Sequence, residues 1–331
     1  MSAPVISILG AGSFGTALSL LLASRGSRVN LWGHNPGQIL KMRETRSNER
    51  YLPGVALPEN VLPTDDLREC LPADLILFVT PSKAIRSVAA QFARCAAPSG
   101  IPSISCTKGI EHSTGYRMSQ VLGECLPGHP IGCLSGPSHA EELALRMPAA
   151  AVVAFPDLAL AERLQPLLST PWFRAYTSED LAGVELGGAL KNIYAIAAGV
   201  SDGLGFGDNS KAALETRALV ELVRLGVELG GRRETFYGLS GMGDLTVTCF
   251  SRHSRNRALG ERLGRGESLE AITAELPGIA EGVPTARGAF ECARRAGVST
   301  PIVDQVHAML FEGKSPKAVL LDLMGRDPKP E

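Results

Sequence analysis

Val5-Ile6-Ser7-Ile8-Leu9 runs straight into Gly10-Ala11-Gly12-Ser13-Phe14-Gly15, and the reading of this stretch decides the fold. A β-branched run, then G-x-G-x-x-G, then an apolar helical pattern (Ala17, Leu18, Leu21, Leu22) is the context a dinucleotide-binding fingerprint requires. Each glycine has its own task. Gly10 allows the tight turn, Gly12 lets backbone approach a pyrophosphate, and Gly15 lets the helix pack close against the strand. The amides that follow, those of Ser13 and Phe14 among them, open a helix, where partial positive charge favours a phosphate. The alternative is an ordinary glycine turn. The agreement of strand, motif and helix argues against it.

Composition is that of a soluble globular protein. The 331 residues allow two domains with substantial cores, and 44% are hydrophobic against 20% charged. A formal net charge of -1 gives no general attraction to nucleic acid or to an anionic membrane. Seven cysteines, with no C-x-x-C pair and no tight Cys/His cluster, argue against a disulfide framework or a metal site. The chain enters its first strand without the basic and apolar segments of a signal peptide, so a cytoplasmic location is expected. The nearest thing to a membrane span, Leu181 to Leu204, is interrupted by Glu185, Lys191, Asn192 and Asp202.

Beyond the first helix, Val29 to Trp32 reads as a second strand. In NAD-binding versions of this fold an acid about 20 residues past the glycines holds the ribose 2′-hydroxyl. Here the strand ends in Gly33-His34-Asn35, with no acid before Glu44. Nothing there repels a 2′-phosphate and His34 offers it a donor, which tilts the expected cofactor toward NADPH, with NADH as the alternative. Residues 36 to 62 mix polar helix-like sequence with Tyr51-Leu52-Pro53-Gly54, which reads as a loop across the domain edge with Tyr51 near the adenosine half. Ala73 to Val79 is a near-continuous apolar run, as expected of a strand buried on both faces of a parallel sheet. Ser103 to Thr107, Ile131 to Leu134, Ala149 to Phe155 and Phe173 to Tyr176 are further strands.

Alternation of strands with helices predicts a doubly wound Rossmann-type sheet, in which ligands bind at the carboxyl ends of the strands. Three strand ends therefore matter together: the glycine loop, Lys108, and Gly136-Pro137-Ser138. From Leu181 onward strand signals almost vanish and helical periodicity takes over. This places a boundary between a nucleotide-binding domain, 1–180, and an all-α domain, 181–331. Lys191 sits in an apolar helical segment whose i±3 and i±4 neighbours are Gly187, Gly188, Tyr194 and Ala195, so no local carboxylate pairs with it. A buried lysine without a partner is disfavoured. Either that helix face is solvated or it lines a polar cleft, and the adjacent glycines favour the cleft. Gly238 to Asp244 reads as a glycine-rich loop offering a carboxylate. Arg252 to Arg257 is a basic, hydroxyl- and amide-bearing cluster at a helix start, suited to a phosphate monoester because the arginine fork binds phosphate oxygens in pairs.

Taken together, Gly10 to Ala17, Thr107-Lys108-Gly109, Ser135 to Ser138, Leu190-Lys191-Asn192, Gly241 to Leu245, Ser254-Arg255-Asn256 and Glu281-Gly282 with Thr285 resemble the bacterial-type NAD(P)-dependent glycerol-3-phosphate dehydrogenases. The resemblance spans nearly the whole chain. It implies reduction of dihydroxyacetone phosphate to sn-glycerol 3-phosphate for phospholipid synthesis, by a Rossmann domain followed by an all-helical domain, and a homodimer. By the same resemblance Ser13, Phe14, His34, Lys108 and Ala140 contact the cofactor, joined by Ile279 and Glu281 from the helical domain. Lys108, Gly136, Ser138, Lys191, Asp244, Ser254, Arg255 and Asn256 surround the substrate, with Arg255 near both ligands. Many relatives carry arginine at the position of His34.

Hydride delivery to a ketone develops negative charge on its oxygen, so a cation or proton donor is needed there. Lys191 is the expected general acid, and general base in reverse. Lys108 would hold substrate and Asp244 would orient Lys191 or bind a substrate hydroxyl. Two rivals remain at this level: a related dehydrogenase of a hydroxyacid or sugar acid, and a dinucleotide-sensing regulator without catalysis. The Ser254-Arg255-Asn256 cluster with Asp244 favours a short phosphorylated triose over the first, and Lys191 argues against the second.

Overall fold

The computed structural model describes residues 3–95, 98–275, 278 and 280–327. They group into two compact units: 1–108 with 116–185, and 109–115 with 186–331.

The first unit is built on one eight-stranded sheet and a small hairpin. In chain order its strands are β1 (Val5–Leu9), β2 (Arg28–Trp32), β3 (Ser47–Asn48), β4 (Leu52–Ala56), β5 (Val61–Thr64), β6 (Leu75–Phe78), β7 (Ser103–Ser105), β8 (Ile131–Ser135), β9 (Ala149–Ala154) and β10 (Phe173–Ser178). Helices α1 (Ser13–Ala23), α2 (Pro36–Thr45), α3 (Ser82–Ala93), α4 (Met118–Cys125), α5 (Ala140–Ala144) and α6 (Leu158–Leu168) lie between them. The sheet order is β10-β9-β8-β7-β6-β1-β2-β5, with β3 and β4 pairing antiparallel apart from it. From β5 to β8 every pairing is parallel; β9 runs antiparallel to β8, and β10 parallel to β9.

Helices cover both faces, which explains the unbroken apolar runs. Ile6, Ile8, Leu75 and Leu77 join one core with Leu18, Leu21 and Leu22 of α1, while Leu9, Ile76 and Phe78 join a second with Ile85 and Phe92 of α3. Strand order reverses between β1 and β6, the switch point at which such sheets open a crevice for ligands.

Within residues 36 to 62 the helix-like sequence is α2, whereas Tyr51 to Gly54, expected as a loop, lead into and form part of strand β4. The whole stretch forms α2, the β3–β4 hairpin and the start of β5, an edge strand. An edge tolerates Pro63, which has no N–H to give to a ladder, and that proline hides the strand in the sequence. At both borders of the sheet, outward-facing backbone groups are taken up by nearby side chains and backbone. At β5, Arg43 Nε donates to Pro63 O (2.8 Å) and Arg46 Nη2 to Val61 O (2.8 Å). At β10, Gln165 Nε2 donates to Ala175 O (2.8 Å), Ser169 Oγ accepts from Ala175 N (3.3 Å), and Thr170 N donates to Phe173 O (2.8 Å).

The second unit is helical. Helix α7 (Leu181–Gly203) begins in the first unit and continues into the second, followed by α8 (Asp208–Glu228), α9 (Asp244–Phe250), α10 (Arg255–Gly264), α11 (Leu269–Glu275), α12 (Gly282–Ala296), α13 (Pro301–Phe311) and α14 (Pro316–Met324). Residues 183–196 of α7 are buried without interruption, so the segment that looks membrane-like in sequence is a helix enclosed by its neighbours. Among the described residues no helix is long and apolar enough to cross a membrane. Helix α10 crosses α7 at backbone contact. A Cβ on Gly260 would lie 2.0 Å from Ile196 O, and one on Gly199 would lie 2.0 Å from Arg257 O.

Candidate active site

In the sheet unit the site residues stand on the loops that leave β1, β7 and β8, parallel strands whose carboxyl ends share one edge. Gly10 has φ +137, and a Cβ there would meet Val79 O at 2.3 Å. A Cβ on Gly15 would meet Gly10 O at 1.9 Å, so turn and helix pack as the motif requires. Gly12 differs from both: its Cβ position has no heavy atom within 4 Å. Glycine is therefore not demanded there by the protein's own packing, and the space fits a group from outside, as a pyrophosphate would need. The first amides of α1, having no carbonyl one turn earlier, are free of helical bonding at the same place.

Around this loop, Ser13 Oγ donates to Tyr51 O (2.7 Å), tying the glycine loop to the hairpin, and the Arg50 guanidinium lies 5.2 Å from the centre of the Tyr51 ring. Phe14 packs on the sheet core. His34 is exposed just beyond β2, and Asn35 beside it caps α2 by accepting from Gln38 N (3.0 Å). Lys108 Nζ donates to Gly136 O (3.0 Å), and Ser138 Oγ donates to the same carbonyl (3.2 Å). Residues from two strand ends thus meet on one backbone oxygen. Ala140 is buried as the first residue of α5. Burial pushes the nearby Cys106 thiol up to about 12, so it stays protonated and inert.

In the helical unit, Lys191 is 4% exposed and Asp244 is 1% exposed. Lys191 Nζ donates to the Asp244 carboxylate and to Thr248 Oγ1, and Thr248 Oγ1 donates to Asp244 O (2.6 Å). The lysine that sequence leaves without a local partner finds one 53 positions later. Glycines make this contact sterically feasible. A Cβ on Gly187, one turn before Lys191, would lie 2.6 Å from Ser240 O, and one on Gly241 would lie 2.0 Å from Phe236 O. The stretch Gly238–Asp244, expected as a loop, is instead a wide helical turn over Leu239–Gly243 that leads into α9. Asp244 opens α9, where the helix dipole favours a carboxylate.

The 254–256 cluster is at a helix start, as expected, with its roles divided. Ser254 caps α10, its Oγ accepting from Arg257 N (3.2 Å). Asn256 is buried, donating to Asn192 Oδ1 (2.8 Å) and accepting from Gly282 N (2.9 Å), so it binds α7, α10 and α12 together. Arg255 is exposed in the first turn of α10. Half-buried Glu281 directly precedes α12, and its carbonyl accepts from Thr285 Oγ1 (2.6 Å). Ile279 lies outside the described residues. Sequence reading missed Thr248 and Asn48. Thr248 follows Asp244 by four residues on one helix, a spacing that puts the two on one face. The contacts of Asn48 to Ala11 and Thr16 are long-range and carry no local signal. Among the described residues no group of His, Cys, Asp and Glu is placed to hold a metal ion.

Residues 5–161 match the family model for the N-terminus of NAD-dependent glycerol-3-phosphate dehydrogenase, and residues 180–321 match that for its C-terminus. The chain is 47% identical over 330 residues to glycerol-3-phosphate dehydrogenase [NAD(P)+] of Chlorobium limicola, covering 98% of this chain and 99% of the relative. It is 48% identical over 334 residues to the protein of that name from Geobacillus kaustophilus, covering 98% and 96%. The crystal structure of glycerol-3-phosphate dehydrogenase from Coxiella burnetii superposes with a TM-score of 0.94 at 36% identity, covering 98% of this chain and 99% of that one.

Proposed function

The chain belongs to the NAD-dependent glycerol-3-phosphate dehydrogenase family, and on that premise we propose how its residues divide the reaction. It is an NAD(P)-dependent oxidoreductase that reduces dihydroxyacetone phosphate to sn-glycerol 3-phosphate, the backbone of glycerophospholipids. In the proposed division, residues 1–180 bind the nucleotide and residues 181–331 form the substrate domain. The observation that carries the division is the buried Lys191 ammonium held by Asp244 and Thr248.

The nicotinamide, when bound, supplies the hydride and takes it back in the reverse direction. Lys191 supplies the proton. As the ketone carbon accepts hydride, the C=O π pair moves to oxygen and Lys191 Nζ–H donates to it, leaving a neutral amine. In the reverse direction that amine removes the hydroxyl proton. Asp244 aims the group, and Thr248 fixes a second direction. Lys108, Gly136 and Ser138 hold substrate, with the Lys108 charge countering that on the reacting oxygen. The Arg255 guanidinium and the first amides of α10 take the phosphate. Ser254 and Asn256 act by shaping that helix start, since their side chains serve the cap and the Asn192–Gly282 link.

Gly10, Gly12, Ser13, Phe14 and Gly15 hold the pyrophosphate, His34 and Tyr51 the adenosine half, and Ala140, Arg255, Ile279 and Glu281 complete the cofactor contacts. NADPH is the preferred cofactor in this reading, because β2 ends without a carboxylate and His34 is exposed there. The protein acts as a cytoplasmic homodimer.

Lys191→Ala tests the central role. Turnover should fall by about three orders of magnitude, a typical worth for general acid–base help combined with charge stabilisation. NADPH affinity, followed by fluorescence titration, should stay within about two-fold, the change expected when no cofactor contact is lost. Near-normal kcat in this variant would exclude Lys191 as the acid.

A further inference from the structure

We propose that Asn48, on the hairpin beside the glycine loop, is a positioning residue for the dinucleotide, acting by fixing the Ala11–Gly12 peptide. This rests on the assignment of the glycine loop to the cofactor. Asn48 is 1% exposed, and its Nδ2 donates to Ala11 O (3.1 Å) and to Thr16 Oγ1 (2.8 Å). Its Oδ1 accepts from Gln38 Nε2 (3.2 Å), which also donates to Ala11 O (2.9 Å). The Ala11 carbonyl therefore accepts two side-chain hydrogen bonds, the number its two lone pairs allow.

In a trans peptide the carbonyl and the following N–H point in opposite directions. Anchoring Ala11 O on the hairpin turns the Gly12 N–H away from the hairpin and holds it there. Gly12 is also the one residue of the motif whose missing side chain leaves open space. Glycine at 12 makes this peptide easy to rotate, so the rigidity has to come from elsewhere. Asn48 and Gln38 supply it. The bond from Ser13 Oγ to Tyr51 O (2.7 Å) fastens the same turn of the hairpin, where Tyr51 N donates to Asn48 O (3.1 Å), so loop and hairpin turn are joined by hydrogen bonds on both sides of Gly12. Asparagine suits position 48 because it donates to two oxygens while accepting from Gln38; aspartate would set a carboxylate against the Ala11 carbonyl.

The test is Asn48→Ala and Gln38→Ala in the full chain, read by NADPH titration and by steady-state kinetics with dihydroxyacetone phosphate. Asn48→Ala should weaken NADPH binding about ten-fold and Gln38→Ala about three-fold, as loss of two hydrogen bonds (one to the loop, one to Thr16 of α1) or of one to the loop predicts. At saturating NADPH, kcat and the KM for dihydroxyacetone phosphate should stay within about two-fold, since no bond to the reacting groups is lost. A merely structural role would instead lower the active fraction, and so kcat, at unchanged NADPH affinity. That result, or unchanged affinity in both variants, overturns the proposal. If Asn48→Ala does not fold, Gln38→Ala decides by the same readout. Gly12→Val separates the two levels of inference. If it leaves NADPH binding intact, the cofactor assignment itself fails. If it abolishes binding while the other two variants bind normally, only the role of Asn48 falls.

Discussion

Lys191 shows how one residue constrains its surroundings. An ammonium taken out of water needs a counter-charge, and a buried pair broken on one side leaves an uncompensated ion. Asp244 meets that need, and the same contact that makes burial tolerable also fixes the direction of the Lys191 side chain. Glu221 follows a different logic. It is 2% exposed, and its two carboxylate oxygens accept from Ile302 N (3.0 Å) and Val303 N (2.9 Å) at the start of α13. Burial pushes this carboxyl up to about 7, against hydrogen bonds from those two amides that pull it down. The folded protein therefore holds the Glu221 proton more tightly than the unfolded chain does. Its contribution to stability is complete below about pH 4.5 and is lost as pH rises through about 7. Compared with Glu221→Gln, which does not titrate, the native protein should lose on the order of 2–3 kcal/mol between pH 5 and pH 8. Urea unfolding of both proteins across that range measures it; a constant difference would show that the carboxyl titrates normally.

At the level of elements, α7 and α10 meet at backbone contact. Gly199 and Gly203 on α7 oppose Gly260 and Gly264 on α10, spaced so that both helices bare one strip of backbone. Gly260→Ala places a methyl 2.0 Å from Ile196 O, a clash that only helix separation relieves. We expect a loss of about 3 kcal/mol, the upper range for overpacking, despite alanine's better helix propensity. A Tm equal to that of the native protein would contradict the close crossing.

These elements were unequally legible. The strands from Ala73 to Val79 and Ile131 to Leu134 announced themselves because two buried faces demand unbroken apolar runs. Strand β5 and the β3–β4 hairpin did not, since Pro63 and a two-residue β3 carry no usable period. The glycines of 238–243 suggested a loop, whereas Gly241 sits against the Phe236 backbone within a wide helical turn, and Gly187 of α7 leaves room for that turn at Ser240 O. The site was legible as residue types: a lysine in an apolar helix, a carboxylate after glycines, an arginine at a helix start. The pairing of Lys191 with Asp244 was not, because tertiary contact across 53 positions leaves no trace in local spacing.

For the whole molecule, each unit carries its own apolar core: two layers flank the sheet, and one cluster surrounds α7, α8 and α13. A ligand that grips the glycine loop should therefore act on the elements that it touches. NADPH at about 100 times its Kd should add about 2.7 kcal/mol to the stability of what it binds. By hydrogen-exchange mass spectrometry, protection should rise in residues 5–16 and 47–56, and stay unchanged in α13. A rise confined to α13 would count against the assignment of the glycine loop.

The borders of the sheet bear on how copies of this protein meet one another. Strand addition from a neighbour, the route by which β-rich proteins fuse or seed fibrils, needs vacant donors and acceptors along an outer strand. Here arginine heads occupy the carbonyls at one margin, and glutamine, serine and threonine occupy the groups at the other. A visiting chain meets bonds already made at Val61 and Pro63 on one margin and at Phe173 and Ala175 on the other, so adding a strand at these places means displacing a contact of the sheet unit with itself.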